Sequence, residues 1–196
     1  MQQVSQDARA RLFAAAVESF AAKGFHGTTT RDIASGAGMS PAALYVHHRS
    51  KEELLYQISR AGHDRTLALV QEAVATSRDP REQLLAVVHA FVVHHAEGHT
   101  GARIVNYELA ALSPEHLEEI AATRRRIEQE MRDVVERGVA AGACSTSDPH
   151  MTALALLSLG IDVARWYRDE GEWIPAQIAD HYCELALRIV GATQGP

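Results

Sequence analysis

Apolar side chains recur every three or four residues along most of this chain, which is the spacing typical of amphipathic α-helices. The first stripe consists of Leu12, Phe13, Ala16 and Phe20 and ends near Lys23–Gly24. No segment shows the strict alternation of a half-buried strand, and the sequence contains no internal repeat or low-complexity tract. The pattern therefore predicts an all-α fold of about nine helices.

Three later helix starts are marked by a capping residue followed by proline. Proline lacks an N–H group, so it is tolerated in the first helical turn, where that group has no partner. The signals lie at Asp79–Pro80, Ser113–Pro114 and Asp148–Pro149. We predict a long helix from Lys51 to about Ser77, followed by helices at 80–97, about 102–112, 114–141, 149–168 and about 175–190.

Residues 27–54 contain the signals of two short helices, a turn between them and the start of a third helix. Hydroxyl groups in the run Thr28–Thr30 can cap the first helix, and the charge of Asp32 suits its first turn. The glycines of Gly36–Gly38 suit a sharp turn. The next two starts are marked by Ser40 with Pro41 and by the capping-box pair Ser50 and Glu53. This order is that of a helix-turn-helix, whose second helix enters the major groove of DNA.

The side chains on the outside of the second short helix suit contact with DNA. Small residues at its start allow close approach to the groove wall and to a thymine methyl group, and later residues carry hydrogen-bond donors. The predicted DNA-binding set is Thr28, Thr29, Thr30, Arg31, Ser40, Pro41, Ala42, Tyr45, His47 and Lys51. From spacing alone, a purely structural helix-turn-helix stays an alternative.

The same stretch resembles the DNA-binding region of the TetR family of bacterial repressors. The family pattern is Thr-x-x-x-Ile-Ala, then Ala-Gly-x-Ser, then Leu-Tyr-x-His-Phe, then Ser-Lys-x-x-Leu. The chain supplies, in register, Thr29, Ile33, Ala34, Ala37, Gly38, Ser40, Leu44, Tyr45, His47, Ser50, Lys51 and Leu54. His48 departs from the pattern, because the family commonly has an aromatic or aliphatic core residue there. The resemblance implies a DNA-binding domain, residues 1–50, and a ligand-binding and dimerisation domain, residues 51–196.

Charge is distributed unevenly along the 196 residues, whose net charge is −6. Residues 1–50 contain five basic and three acidic side chains, so the remainder carries a net charge of −8. A modestly basic N-terminal segment followed by an acidic remainder favours DNA contact through the N-terminal segment only.

The two cysteines, Cys144 and Cys183, lie far apart and form no Cys-x-x-Cys pair. This spacing favours reduced thiols in a cytoplasmic protein, and a disulfide between the two residues is the alternative. The sequence shows no signal-peptide pattern and no apolar run of membrane-spanning length, so we expect a soluble intracellular protein with no membrane contact.

The last two predicted helices are apolar on more than one face. The apolar positions are Leu154, Leu156, Leu157, Leu159, Ile161 and Val163 in the first, and Ile178, Tyr182, Leu185 and Ile189 in the second. A helix apolar nearly all round must be buried, either in the core of one chain or against a second copy. The TetR resemblance implies a homodimer through these helices, and two half-sites of a palindromic operator require one.

Polar residues interrupt the apolar stripes after residue 51, and buried charge is costly unless it is paired or faces a polar ligand. The candidate ligand-binding set is Arg103, Asn106, Tyr107, Arg124, Asp162, Arg165, Trp166 and Arg168. Structural ion pairs, or arginines that extend to water, are the alternative explanation.

A narrower resemblance concerns the runs NYELAALSPEHLEEIAATRRRIEQEM and ARWYRDEGEW. They are similar to TetR-type regulators of fatty-acid and steroid breakdown that respond to coenzyme A thioesters. Arginines can bind phosphates while leucines and a tryptophan hold an acyl chain or ring system. The resemblance implies an acyl-coenzyme A effector, and a neutral or cationic hydrophobic compound is the alternative.

Other functional classes have weaker support in the sequence. The cluster of His94, His95 and His99 includes one i, i+4 pair, but eleven histidines make chance pairs common, and we expect no metal site. No nucleophile elbow, P-loop, Rossmann fingerprint or HExxH motif is present, so we expect neither an enzyme nor a cofactor. A helical adaptor protein is the remaining alternative to a homodimeric repressor that a small molecule releases from double-stranded operator DNA.

Overall fold

The computed structural model describes residues 2–192, with side chains from residue 6 onward, and this range contains nine α-helices and no strand. The prediction of an all-α fold is confirmed. The helices are α1 (Gln2–Gly27), α2 (Thr30–Gly36), α3 (Pro41–His47), α4 (Lys51–Ala75), α5 (Pro80–Glu97), α6 (His99–Tyr107), α7 (Pro114–Ala140), α8 (Pro149–Trp166) and α9 (Pro175–Ile189), with a short 3₁₀ helix at Leu109–Ala111. None of these helices is long and apolar enough to cross a membrane.

The predicted boundaries of two helices were wrong. The segment predicted as one helix over residues 102–112 begins earlier, at His99, and ends at Tyr107, where the chain changes to a 3₁₀ turn. Helix α8 ends at Trp166 rather than at Arg168, because Tyr167 adopts an extended ψ of 143°. The break that was expected near residue 24 is present, since Gly24 has a φ of +69°, but one more turn follows it.

The chain forms two compact units, and each has its own core. The first unit comprises Met1–His63 and Thr100–Ala121, and the second comprises Asp64–His99 and Ala122–Pro196. The boundaries fall within α4, at the start of α6 and within α7. These units are defined by compactness, so the functional division after residue 50 stays a prediction.

The first unit is organised around a cluster of buried aliphatic and aromatic side chains. Helices α1 to α4 and the segment 104–120 all contribute to it. Its fully buried members include Leu12, Phe20, Ile33, Leu44, Leu54, Leu55, Ile104 and Ile120. The first unit is therefore larger than the helix-turn-helix motif alone.

The core of the second unit is built from α5, the inner faces of α8 and α9, and parts of α4 and α7. Helix α8 approaches α5 closely at Gly160, where a Cβ atom would lie 2.5 Å from Cδ1 of Phe91. The two cysteines belong to this unit as free thiols. Burial raises the pKa of both, that of Cys183 to about 11, which suppresses thiolate reactivity.

Alanine substitution should have opposite effects at Gly160, where α8 approaches α5 closely, and at Gly101, which has open space around it. Gly160→Ala forces Phe91 to shift and should lower the free energy of unfolding by about 1–3 kcal/mol. The matched control is Gly101→Ala in α6, where a Cβ atom meets nothing within 4 Å, and it should raise the free energy of unfolding by about 0.5–1 kcal/mol. Urea unfolding measures both values, and equal effects of the two variants would contradict the packing described here.

Candidate DNA-binding surface

Helix α2 begins with a complete capping box. The hydroxyl of Thr29 accepts a hydrogen bond from the Asp32 backbone N–H at 3.1 Å, and the Asp32 carboxylate accepts from the Thr29 N–H at 2.8 Å. The Asp32 carboxylate also lies 2.9 Å from Nζ of Lys23. The hydrogen bonds from Thr29 and Lys23 hold the pKa of Asp32 below its usual range. The start of α2 is therefore fixed against α1 and stays fixed at neutral pH.

A glycine turn and a serine cap set the direction of α3. Gly38 has a φ of +65°, a conformation that side chains disfavour. Ser40 then caps α3 by accepting a hydrogen bond from the Ala43 N–H at 3.2 Å, and Pro41 occupies the first helical position. The cap and turn predicted for this segment are present.

Packing decides which side of α3 faces solvent. Leu44 is completely buried in the first unit's core, whereas Tyr45 and Val46 are 56% and 79% exposed. Pro41 and Ala42 are also exposed. We call the side formed by Pro41, Ala42, Tyr45 and Val46 the α3 face.

Several other members of the predicted DNA-binding set lie near the α3 face. Arg31 is exposed on α2, and Thr30 places its hydroxyl 3.5 Å from the Tyr45 hydroxyl. Thr29 and Ser40 are exposed but use their hydroxyls as caps, and His47 is partly buried at the end of α3. Their contacts with DNA stay predictions.

Two members of the predicted set do not fit a role in direct DNA contact. Thr28 is 1% exposed, and its hydroxyl donates to the carbonyls of Ser19 and Gly24, so no phosphate can reach it. Lys51 donates from Nζ to the carbonyls of Phe25 and Thr28 at 2.6 and 2.7 Å, with Nζ 4.1 Å from the centre of the Phe25 ring. Both residues close the end of α1, because carbonyls there lack helical partners.

His48 occupies a core position, as the TetR pattern implied for this place in the chain. It is 3% exposed, and neither ring nitrogen has a hydrogen-bond partner. Burial lowers the pKa of His48 below its usual 6.5; the nearby charge of Glu53 opposes this shift, and that of Arg9 adds to it. A polar ring thus replaces an apolar one at the end of α3, at a cost in stability.

Sequence reasoning missed the polar contacts that attach residues 108–116 to the helix-turn-helix. Glu108 accepts a hydrogen bond from the Phe25 backbone N–H at 3.3 Å, beside the break in α1. Glu52 accepts from the Ser113 N–H at 2.9 Å and lies 2.8 Å from Nδ1 of His116. These partners are separated by 61 to 83 positions, and no local sequence signal marks such pairs.

The predicted ligand-binding residues are divided between the two units. Arg103, Asn106 and Tyr107 lie on α6 in the first unit, where the Asn106 amide donates to the Ala102 carbonyl and Tyr107 is half exposed. Arg124, Asp162, Arg165, Trp166 and Arg168 lie in the second. Helix α7 holds Arg124 partly buried, and desolvation lowers its pKa.

The remaining members of the ligand set lie at the end of α8. Asp162 and Arg165 form an exposed ion pair at 3.7 Å, and Arg168 donates to the carbonyls of Arg165 and Tyr167. Arg168 therefore caps α8, which is a structural role. Trp166 lines an open groove of about 420 Å³ together with Trp173, Gln177, Ile178, His181 and Tyr182.

The histidine cluster uses its ring nitrogens within the protein. Nε2 of His94 lies 3.2 Å from the Thr66 hydroxyl, Nδ1 of His95 lies 2.8 Å from the Phe91 carbonyl, and Nδ1 of His99 lies 3.1 Å from the Ala96 carbonyl. Within residues 2–192, no three His, Cys, Asp or Glu side chains are placed to hold a metal ion.

Comparisons with known proteins agree with this geometry. Residues 12–58 match the family described as bacterial regulatory proteins of the tetR family, and residues 77–190 match the tetracyclin repressor-like C-terminal domain. A crystal structure of a tetR-family regulatory protein from Rhodococcus RHA1 is 44% identical, with a TM-score of 0.91, over 95% of this chain and 98% of that one.

Two further relatives carry the name KstR2. The transcriptional repressor KstR2 of Mycolicibacterium smegmatis is 28% identical over 191 residues, which are 95% of this chain and 92% of the relative. The structure of the ketosteroid transcriptional regulator KstR2 of Mycobacterium tuberculosis is 26% identical, with a TM-score of 0.86 and 95% coverage of both chains.

The capped α2–turn–α3 arrangement with an exposed α3 face defines a helix-turn-helix DNA-binding protein. The chain belongs to the TetR family and is a TetR-type DNA-binding transcriptional repressor with a C-terminal domain of the tetracyclin repressor-like type.

The burial of His48 predicts a stability that declines in acid. The unfolded chain keeps an ordinary histidine pKa, so it takes up a proton before the folded state does as the pH falls below about 6.5. The free energy of unfolding should therefore decrease from pH 7.5 to pH 5.5. His48→Phe should raise it by about 1–3 kcal/mol and flatten this pH dependence. Urea unfolding at three pH values tests this, and identical pH slopes for the wild type and the variant would contradict it.

Proposed function

We propose that this protein is a homodimeric repressor that binds a palindromic operator through the α3 face and is released by a small-molecule effector. The observation that carries the proposal is the α3 face itself, which is exposed while Leu44 behind it is fully buried. Such a helix can enter the major groove without disturbing the core. A repressor of bacterial genes acts on DNA in the cytoplasm, which is where we place this protein.

Phosphate contacts would come from the edges of the α3 face. Arg31 on α2 and Arg49 after α3 are exposed. Guanidinium groups suit phosphate oxygens, and such contacts fix the register of a protein on DNA. Thr30 and Tyr45 add two hydroxyl groups that lie 3.5 Å apart.

A second copy of the chain would cover the outer side of α8. Met151, Leu159 and Trp166 are all more than one-third exposed, and their spacings of eight and seven residues place them on one side of the helix. Ile189 is similarly exposed on α9. Exposed apolar side chains repeated along one side of a helix favour a protein interface, and a two-fold dimer would bury them on both copies.

For the effector we propose a coenzyme A thioester. Arg124 supports this, because a charged guanidinium kept partly out of water is suited to a phosphate group. The likeness to the ketosteroid regulator KstR2 over 95% of the chain agrees with the sequence resemblance to regulators of steroid breakdown.

The route from effector to DNA would use contacts within the first unit. Arg103 and Tyr107 on α6 are candidate ligand contacts, and the next residue, Glu108, holds the Phe25 N–H in α1. A change in α6 would therefore alter the support of the helix-turn-helix. Helix α4 contributes to both units and offers a second route. The effector would bind more tightly to a form of the dimer in which the two helix-turn-helix domains no longer match successive major grooves. Effector binding would therefore release the protein from DNA.

DNA binding is tested with a duplex enriched by the protein from a random pool. Tyr45→Ala should weaken binding about 10- to 100-fold without changing the salt dependence, because tyrosine is uncharged. Arg31→Ala should weaken binding and reduce the slope of log K against log salt by about one. Fluorescence anisotropy at several salt concentrations measures both effects.

The matched control for Tyr45→Ala is Trp173→Ala, since Trp173 is an aromatic side chain exposed to a similar degree but lies between α8 and α9 in the second unit. This variant should bind the duplex like the wild type in the absence of effector. Equal weakening by the two variants would contradict a specific role of the α3 face.

The effector proposal is tested by thermal unfolding with coenzyme A thioesters, the matching free acids and free coenzyme A. A thioester at one hundred times its Kd should raise Tm by about 5–10 °C. Arg124→Met should abolish this rise, whereas Arg126→Met, an exposed position on the same helix, should retain it. No rise with any thioester would exclude this effector class and favour a neutral or cationic hydrophobic compound.

A further inference from the structure

The α3 face lacks the side chains that usually read bases. None of the seven residues of α3 is Arg, Lys, Asn or Gln. Those side chains make the bidentate hydrogen bonds that identify guanine and adenine in the major groove. Tyr45 carries the single hydrogen-bonding side chain of the α3 face, since the other three members are Pro41, Ala42 and Val46.

Val46 contributes little to folding. It is 79% exposed, more than any other large apolar side chain that the structure describes. A β-branched side chain also has a modest helix propensity, because its χ1 rotamers are restricted. Neither packing nor helix propensity favours a valine at this exposed position, whereas contact with an apolar group of a partner would favour it.

DNA offers one apolar group in the major groove, the C5-methyl of thymine, and small or apolar side chains are its usual partners. We propose that Val46 and Ala42 read thymine methyl groups and that these contacts determine much of the sequence specificity. The inference rests on the proposed function, since it assigns the bases that the α3 face selects.

The spacing of the two residues limits the arrangement of those thymines. Four helical residues rise about 6 Å, and successive bases on one strand are about 3.4 Å apart. Ala42 and Val46 therefore match methyl groups about two base pairs apart in each half-site. Arg31 and Arg49, on either side of α3 in the sequence, remain available for phosphates.

The test replaces thymine by uracil, which keeps every hydrogen-bonding group and removes only the methyl. A duplex is enriched from a random pool made with thymine, and each thymine of its half-sites is then changed to deoxyuridine in turn. Two such changes per half-site should each weaken binding by wild-type protein about fourfold, the factor for one buried methyl group. Fluorescence anisotropy gives the affinities.

The Val46→Ala variant tests which thymine methyl group Val46 contacts. This variant should bind the thymine duplex more weakly than the wild type and lose its sensitivity to uracil at one of the two positions. The other position should stay sensitive, which provides an internal control and shows that the variant is folded. Uracil without effect at every position, or full sensitivity retained by Val46→Ala, would overturn the inference while leaving the proposed DNA binding intact. Failure to enrich any duplex would overturn both.

Discussion

The complete burial of Leu44 is the constraint on which the DNA-binding surface depends. Helix α3 has barely two turns, so one deeply buried side chain fixes its rotation about its own axis. Because Leu44 is held in the same core as Ile33 and Leu12, Ala42 and Val46 must face outward. The caps at both short helices keep this arrangement from fraying, since a two-turn helix has little intrinsic stability.

Polar contacts extend this apolar support beyond the helix-turn-helix. Lys51 closes the end of α1, and Glu108 holds the Phe25 N–H beside the break at Gly24. Glu52 secures the start of α7 through the Ser113 N–H. The DNA-binding head is consequently one compact unit with residues 100–121, which places candidate effector contacts on α6 in the same unit as α3.

The sequence predicted those features that local signals encode. Caps such as Ser40 and the turn at Gly38 involve neighbours in the chain, so the helix-turn-helix was recognisable from residue types and spacing. The type of a residue was a poorer guide to whether its side chain is free to contact DNA. Thr28 and Lys51 carry suitable donors, but both donate hydrogen bonds to backbone carbonyls in or near the end of α1. Contacts such as Glu108 with Phe25 depend on tertiary packing between segments 83 positions apart and had no local signal.

A structure of the protein bound to its enriched palindromic duplex would test the role of the α3 face directly. We expect two copies on one duplex, with α3 of each in the major groove and the two helices about 34 Å, or a multiple of that distance, apart. Tyr45 and Val46 should contact base edges. A single bound copy, or a complex in which α3 faces solvent, would contradict this role.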